Sequence, residues 1–302
     1  MNYRELIKLL TPLYGAGEAR DIVLMVMEER FGLSQTDLLL GKDTTLSRDE
    51  RKEFEKIAAR LVACEPVQYV LGYAMFCGQR FRVTPDVLIP RPETEALVHH
   101  VNARLEKSWP SPAVLDLCTG SGCIAISVAL ACPKAHVVGV DVSEADLAVA
   151  RENARDLGVD NVSFLECDIL QKDMVSLVAK QGRLSCPTKP ALLPDKAGLV
   201  FDVIVSNPPY VRESEAATMS PHVLGHEPNI ALFVPDEDPL RFYRAIADIG
   251  RQCLKPGGAV LAEVNTALAD ETQQLFIESG YVNVNIFPDQ FDRPRILSAQ
   301  II

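Results

Sequence analysis

The chain has 302 residues, 48% apolar and 24% charged, which suits a soluble globular protein of one large or two ordinary domains. No apolar run approaches the ~20 residues of a membrane span, and Met1-Asn2-Tyr3-Arg4-Glu5 opens no signal peptide, so a cytoplasmic protein without a membrane partner is expected. With 30 basic against 41 acidic residues the formal charge is −11, which argues against affinity built on gripping nucleic-acid phosphates.

Residues 1 to about 70 carry helical periodicity only. Leu6, Leu9, Leu10 and Leu13 form one apolar stripe, and Ile22, Val23, Val26, Met27 and Phe31 form a second that Gly32 stops. Ser34 can cap a short helix ending before Gly41. Ser47 and Glu50 make a capping box for a helix whose inner face runs Phe54, Ile57, Ala58, Leu61 and Val62. A small all-helical N-terminal domain over 1–70, without catalytic constellation, suits a recognition module. Over 71–92 a hairpin linker is expected: Val67–Gly72 and Met75–Val83 read as short strands around glycine turns. Pro92 then suits the first turn of a helix running through Leu97, Val98, Val101 and Leu105, with Glu93 and Glu95 at its positive end.

After Pro112 strands and helices alternate, the pattern of a parallel sheet covered on both faces. The strands are Val114–Leu117, His136–Val140, Val162–Leu165, Val203–Ser206 and Ala259–Glu263. Helices cover Ile124–Ala131, a stretch capped by Ser143, Leu240–Cys253 and Ala267–Gly280. Two closing strands near Val282–Phe287 and Arg295–Ile301 have no crossover helix between them, so they form an antiparallel pair at one end of the sheet. The stretch 170–200 reads as a surface insertion with a short helix near Met174–Val178.

The chemistry gathers at strand ends. The first strand runs into Asp116-Leu117-Cys118-Thr119-Gly120-Ser121-Gly122, whose glycines let backbone approach a ligand at a helix N-terminus. The dinucleotide pattern Gly-x-Gly-x-x-Gly is not met, which weakens nicotinamide or flavin binding. Asp141 ends the second strand, where a ribose diol would be held, and Cys167-Asp168-Ile169 ends the third, with a carboxylate for an exocyclic amine and an apolar cover for an adenine. Each acid alone is as often a helix cap. Three such residues on successive strands point to adenosine with a charged, phosphate-free tail, hence S-adenosylmethionine, leaving S-adenosylhomocysteine.

The fourth strand breaks at Asn207-Pro208-Pro209-Tyr210. Neither proline can donate to a ladder, and Pro209 drives Pro208 into an extended conformation. A stiff strand end therefore holds an amide, a carbonyl and an aromatic ring. A planar nitrogen is a poor nucleophile. The Asn207 side-chain oxygen and the Pro208 carbonyl can each accept one of its hydrogens, and Tyr210 can stack on its plane. Cys118, Cys123, Cys132, Cys167 and Cys253 sit in apolar patterns and read as reduced core thiols. His222 and His226, four apart without a third ligand, do not read as a metal site, and no metal is expected.

Asn207-Pro208-Pro209-Tyr210 after an apolar strand resembles the signature of methyltransferases acting on planar nitrogens, adenine-N6 and glutamine-amide enzymes alike. Glu65-Pro66-Val67-Gln68-Tyr69-Val70-Leu71-Gly72, Val87-Leu88-Ile89-Pro90-Arg91-Pro92-Glu93-Thr94-Glu95 and Glu227-Pro228-Asn229-Ile230-Ala231-Leu232-Phe233 resemble the release factor glutamine N5-methyltransferase family (PrmC/HemK) over nearly the whole chain. The resemblance implies a Rossmann-like class I S-adenosylmethionine-dependent α/β domain over 93–302. It implies methylation of the Gln in the Gly-Gly-Gln loop of class I peptide release factors, with no direct nucleic-acid partner and a monomer as the default. Cofactor contacts fall on Cys118, Thr119, Gly120, Ser121, Gly122, Asp141, Asp168, Ile169 and Asn207. Substrate contacts fall on Asn207, Pro208, Pro209 and Tyr210, with catalysis by Asn207, Pro208 and Tyr210. The alternatives are glutamine methylation of ribosomal protein L3 and adenine-N6 methylation of nucleic acid. Cys118 stands where the family has Gly, and Glu263 leads into Val264-Asn265-Thr266 where the family has Gly and Gln.

Overall fold

A computed structural model describes residues 1–171 and 201–302. The expected helix near Met174–Val178, and most of the insertion around it, lie outside the described residues. The chain forms two compact units, one of 1–73, 83–85 and 218–227, the other of 74–82, 86–217 and 228–302.

The first unit is helical: α1 (Tyr3–Tyr14), α2 (Ala16–Phe31), α3 (Gln35–Leu39), α4 (Arg48–Val62) and α5 (Val67–Leu71). Capping boxes start α1 at Asn2 and Glu5, α3 at Ser34 and Asp37, and α4 at Ser47 and Glu50. The buried stripe of α1 is Tyr3, Leu6 and Leu10, whereas Leu9 and Leu13, expected on the same stripe, are largely exposed. Val67–Gly72 is not a strand but the single turn α5. Pro66 presets its start, Gly72 in the left-handed region ends it at φ +82°, and Val67, Tyr69, Val70 and Leu71 are all buried. Five residues that bury nearly every side chain carry no readable period. In the segment 218–227 a short helix, α9 (Pro221–Leu224), precedes His226. His222 Nδ1 lies 3.1 Å from the Cys64 carbonyl and His226 Nε2 3.2 Å from that of Ala63. A carbonyl only accepts, so both histidines donate to the C-terminal end of α4.

In the second unit β1 (Tyr73–Phe76) and β2 (Gln79–Arg82) form a hairpin whose Phe76 and Phe81 are fully buried against Leu97, Val98 and Val101 of α6 (Pro92–Ser108). The main sheet has, among the described residues, seven strands. They are β3 (Ala113–Leu117), β4 (His136–Asp141), β5 (Val162–Glu166), β6 (Phe201–Ser206), β9 (Leu254–Glu263), β10 (Val282–Pro288) and β11 (Pro294–Gln300). Between β6 and β9 the short strands β7 (Val211–Arg212) and β8 (Phe233–Val234) pair with each other. The order is β10-β11-β9-β6-β3-β4-β5, with β3, β4, β5, β6 and β9 parallel and β11 antiparallel to both neighbours.

Helices cover both faces. Val114, Val203 and Val205 point into a cluster with α6 and α7 (Cys123–Ala131). Leu115, Leu117 and Ile204 point into the opposite cluster with α11 (Arg241–Cys253) and α12 (Ala269–Glu278). All six residues of β6 are buried, as a central strand between two helical layers requires. Strand order reverses about β3, so the loops after β3 and β6 diverge and leave a crevice at the carboxyl edge. Among the described residues no helix is long and apolar enough to cross a membrane.

Gly139 of β4 shows how closely the elements under that crevice approach. A β-carbon there would stand 2.8 Å from the Phe164 ring and 2.8 Å from Thr119 Oγ1. Gly139→Ala is expected to lose about 1–3 kcal/mol by overpacking, read as a lower urea midpoint with unchanged slope.

Candidate active site

The loop after β3 is tied down by backbone and side chain alike. The Thr119 amide donates to the Val140 carbonyl (2.9 Å), and its hydroxyl donates to Asp116 Oδ2 (2.6 Å). The Gly120 amide donates to Asp141 Oδ2 (2.8 Å), and Asn153 donates to the Ser121 carbonyl (2.9 Å). Gly122 opens α7 in the left-handed region at φ +78°, packed so that a β-carbon would meet Ala150, Ile126 and Phe164 at 3.0–3.1 Å. Cys118 adopts φ +61°, a conformation a non-glycine residue rarely takes. Burial raises its thiol far above the ordinary range, so it is not a nucleophile at neutral pH.

Carboxyls collect on the same edge. Asp141 at the tip of β4 accepts from Gly120 and, through Oδ1, from the Ser143 amide (3.2 Å). Asp168 accepts from the Leu170 amide (2.9 Å) and from Gln171 Nε2 (3.3 Å), and Ile169 beside it is buried. Asp146, in the first turn of α8 (Glu144–Asp156), was not singled out by the sequence, yet it lines the cleft. Burial raises the Asp141 carboxyl above its usual range despite backbone hydrogen bonds, and pushes that of Asp146 up to about 6.

At the end of β6, Ser206 donates to the Leu117 carbonyl (2.7 Å), which locks the strand end to its neighbour. Asn207 Nδ2 donates to Thr94 Oγ1 (3.2 Å), and Thr94 donates to Glu263 Oε2 (2.6 Å). The Tyr210 hydroxyl donates to Glu263 Oε1 (2.9 Å). Burial raises the Tyr210 hydroxyl, with the Glu263 charge adding to it, and burial raises the Glu263 carboxyl as well. Asn265 donates to the Tyr210 carbonyl (3.1 Å) and to Glu215 (3.0 Å). The Asn207–Tyr210 run is thus tied to one buried carboxylate, directly at Tyr210 and through Thr94 at Asn207.

One cleft of about 290 Å³ brings together Cys118, Thr119, Gly120, Ser121, Asp141, Asp168, Ile169, Asn207 and Pro209. Gly122 lies behind it at the start of α7. Pro208 is buried, and Tyr210 packs against the core cluster beside α11 and α12 rather than lining the cleft. The segment before α6 contributes Leu88, Pro90 and Arg91, the first turn of α6 contributes Thr94, and α10 (Asn229–Leu232) and β8 contribute Ile230, Ala231 and Phe233. Thr94 and Glu263, like Asp146, were not singled out in the sequence: Thr94 read as part of a first helical turn and Glu263 as the end of a strand. For Glu263 the signal within reach was a carboxyl ending the otherwise apolar run 259–263, whereas Thr94 between Glu93 and Glu95 carried none.

Residues 110–277 match a family model described as a methyltransferase domain, and residues 4–72 match one described as the PrmC N-terminal domain. A release factor glutamine methyltransferase of Bacteroides thetaiotaomicron is 40% identical over 290 residues, 96% of this chain and 95% of that protein. The protein of that description from Flavobacterium psychrophilum is 34% identical over 98% of this chain and 97% of its own. This chain belongs to the release factor glutamine methyltransferase family. A crystal structure of a protein-(glutamine-N5) methyltransferase from Alicyclobacillus acidocaldarius is 28% identical over 73% of this chain and 99% of that one, with a TM-score of 0.43. The sheet is that of a Rossmann-like methyltransferase, as the strand alternation led us to expect.

The donor set suits the group that a methyltransferase of this fold uses. Asp141, Asp146 and Asp168 give the cleft three carboxyls, two of them held above their ordinary range by burial. A ligand with positive charge and hydroxyl donors would relieve that cost, and Ile169, Leu88 and Phe233 offer apolar cover for a base.

Asp116 supports this floor at a cost. It is fully buried, its Oδ2 accepts from Thr119 and from the Ala125 amide (3.2 Å), and its Oδ1 has no partner among the described residues. Burial pushes its carboxyl up to about 7, against ~3.9 in an unfolded chain. The folded state therefore holds this proton longer than the unfolded state does. Stability from Asp116 is full below about pH 4 and declines as pH rises towards 7. Asp116→Asn should remove that decline, a difference on the order of a few kcal/mol at neutral pH, measured as urea-unfolding free energy of both proteins between pH 4 and pH 8.

Proposed function

We propose that this chain transfers a methyl group from S-adenosylmethionine to the side-chain amide nitrogen of the Gln in the Gly-Gly-Gln motif of class I peptide release factors. One observation carries the reading beyond the family. Asn207 sits on the cleft with its amide nitrogen committed to Thr94, which leaves Oδ1 as an acceptor there. No hydrogen bond among the described residues ends on the neighbouring Pro208 carbonyl.

Asp141 would hold the ribose hydroxyls, Asp168 the exocyclic amine, Ile169 one face of the adenine, and the backbone of Cys118 to Gly122 the amino-acid tail. When bound, S-adenosylmethionine supplies an electrophilic methyl group on a positively charged sulfur. The remaining chemistry belongs to this chain. An amide NH₂ has two hydrogens and a delocalised lone pair, so it meets two fixed acceptors best: Asn207 Oδ1 and the Pro208 carbonyl. Accepting both hydrogens turns the nitrogen towards the methyl donor and favours the positive charge that develops there. The prolines prevent the strand from continuing, so the Pro208 carbonyl is not consumed by a ladder. Tyr210 contributes by anchoring the far end of the run to Glu263. No general base is required before transfer: the neutral nitrogen bonds to the methyl carbon as the sulfur–methyl bond breaks, and the cationic nitrogen then gives up one of its two hydrogens as a proton to water.

The test is mass spectrometry of a full-length class I release factor incubated with this protein and S-adenosylmethionine. The mass of one added methylene on the Gln of its Gly-Gly-Gln peptide is expected. An unmodified Gln, with methyl groups found on adenine in supplied DNA or on a Gln of ribosomal protein L3, would replace the reading. Asn207→Ala is expected to lower kcat by about 10²–10³-fold, measured at saturating S-adenosylmethionine.

A further inference from the structure

We infer that Thr94 and Glu263 are positioning residues that fix which way round the Asn207 amide stands, so that an acceptor rather than a donor faces the methyl-accepting nitrogen. The inference rests on the reading above and deepens it.

An Asn amide is nearly symmetric in shape, and turning it over exchanges an acceptor for a donor at the same point in space. Turned over, Asn207 would present NH₂ to the NH₂ of a glutamine side chain, donor against donor. What decides is Thr94. A hydroxyl has one hydrogen, and Thr94 sends it to Glu263 Oε2 over 2.6 Å. Towards Asn207 the hydroxyl can then only accept, so Nδ2 must point to Thr94 and Oδ1 to the cleft.

Glu263 in turn decides for Thr94. An ionised carboxylate offers acceptors only, and both of its oxygens are taken by hydroxyl donors, Thr94 on one and Tyr210 on the other. Thr94 and Glu263 are each 2% exposed, so water does not compete for these bonds. The backbone around the carboxylate is fixed as well: the Tyr243 hydroxyl donates to the Glu263 carbonyl (3.0 Å), and Glu263 pairs in register with Ile296 of β11. The direction of the whole chain, Asn207 to Thr94 to Glu263, therefore originates at a residue that is not among those lining the cleft.

Thr94→Val keeps the shape of Thr94 and removes the hydroxyl, whereas Thr94→Ser keeps the hydroxyl. Glu263→Gln keeps the shape of Glu263 but offers an NH₂ to one of the two hydroxyls. Steady-state methylation of a release factor by each folded variant, checked by circular dichroism, separates the outcomes. Thr94→Val and Glu263→Gln should each lower kcat by about 10–100-fold, the range in which groups that orient a contacting residue act. KM for S-adenosylmethionine should stay within about threefold of wild type. Thr94→Ser should recover most of the rate lost in Thr94→Val. Equal kcat for Thr94→Val and Thr94→Ser, or wild-type kcat in Glu263→Gln, would overturn the inference while leaving the proposed reaction intact. A wild-type protein that adds no methyl group to the release-factor Gln would instead overturn the reading on which it rests.

Discussion

A carboxylate can accept hydrogen bonds but not donate them, and Glu263 is buried where two hydroxyls can reach it and water cannot. Much of the candidate site follows from that. With both oxygens filled by Thr94 and Tyr210, the two ends of the Asn207–Tyr210 run are pinned to a single point at the end of β9. The charge would be costly without those donors, and burial does raise the carboxyl, but Thr94, Tyr210 and the nearby positive charge of Arg295 each oppose the rise. Arg295 is itself held beside Asp289, whose carboxyl accepts further backbone amides from Phe291 and Arg293. A stiff peptide unit alone would place Asn207 without choosing the orientation of its amide.

The sheet supplies the other half of the arrangement. Five parallel strands, buried on both faces apart from the half-exposed edge strand β5, bring Leu117, Asp141, Glu166, Ser206 and Glu263 to one carboxyl edge. Reversal of strand order beside β3 opens that edge into a crevice. The carboxyls drawn to the edge are raised by burial, a cost the fold carries without a ligand. A cationic ligand would return part of it, which connects the electrostatics of the floor to the sulfur-centred charge of the proposed methyl donor.

Much of this was legible in the sequence. Strand alternation named the fold because buried parallel strands read as short apolar runs, and the prolines marked the end of β6 because they cannot pair. Asp141, Asp168 and Asn207, which share one cleft, were singled out because each lies at or just past a strand end. The remainder depended on contacts that a linear reading cannot see. Thr94 and Glu263 meet across 169 positions of chain, and each alone looks like an ordinary helix-start or strand-end residue. Tyr210 read as a stacking group, but its hydroxyl is drawn into the core by Glu263. In the helical unit, α5 was missed because a single turn between Pro66 and Gly72 shows no period, and Leu9 and Leu13 fit the stripe of α1 without being covered.

The direction of the hydrogen-bond chain from Asn207 through Thr94 to Glu263 decides whether an acceptor faces the cleft. Neutron diffraction from perdeuterated crystals reads that direction at the atoms concerned. The account predicts the Thr94 deuteron lying towards Glu263, no deuteron on either Glu263 oxygen, and the ND₂ group of Asn207 turned to Thr94 with its oxygen facing the cleft. A deuteron on Glu263 Oε2 pointing to Thr94, with the Asn207 amide reversed, would contradict it.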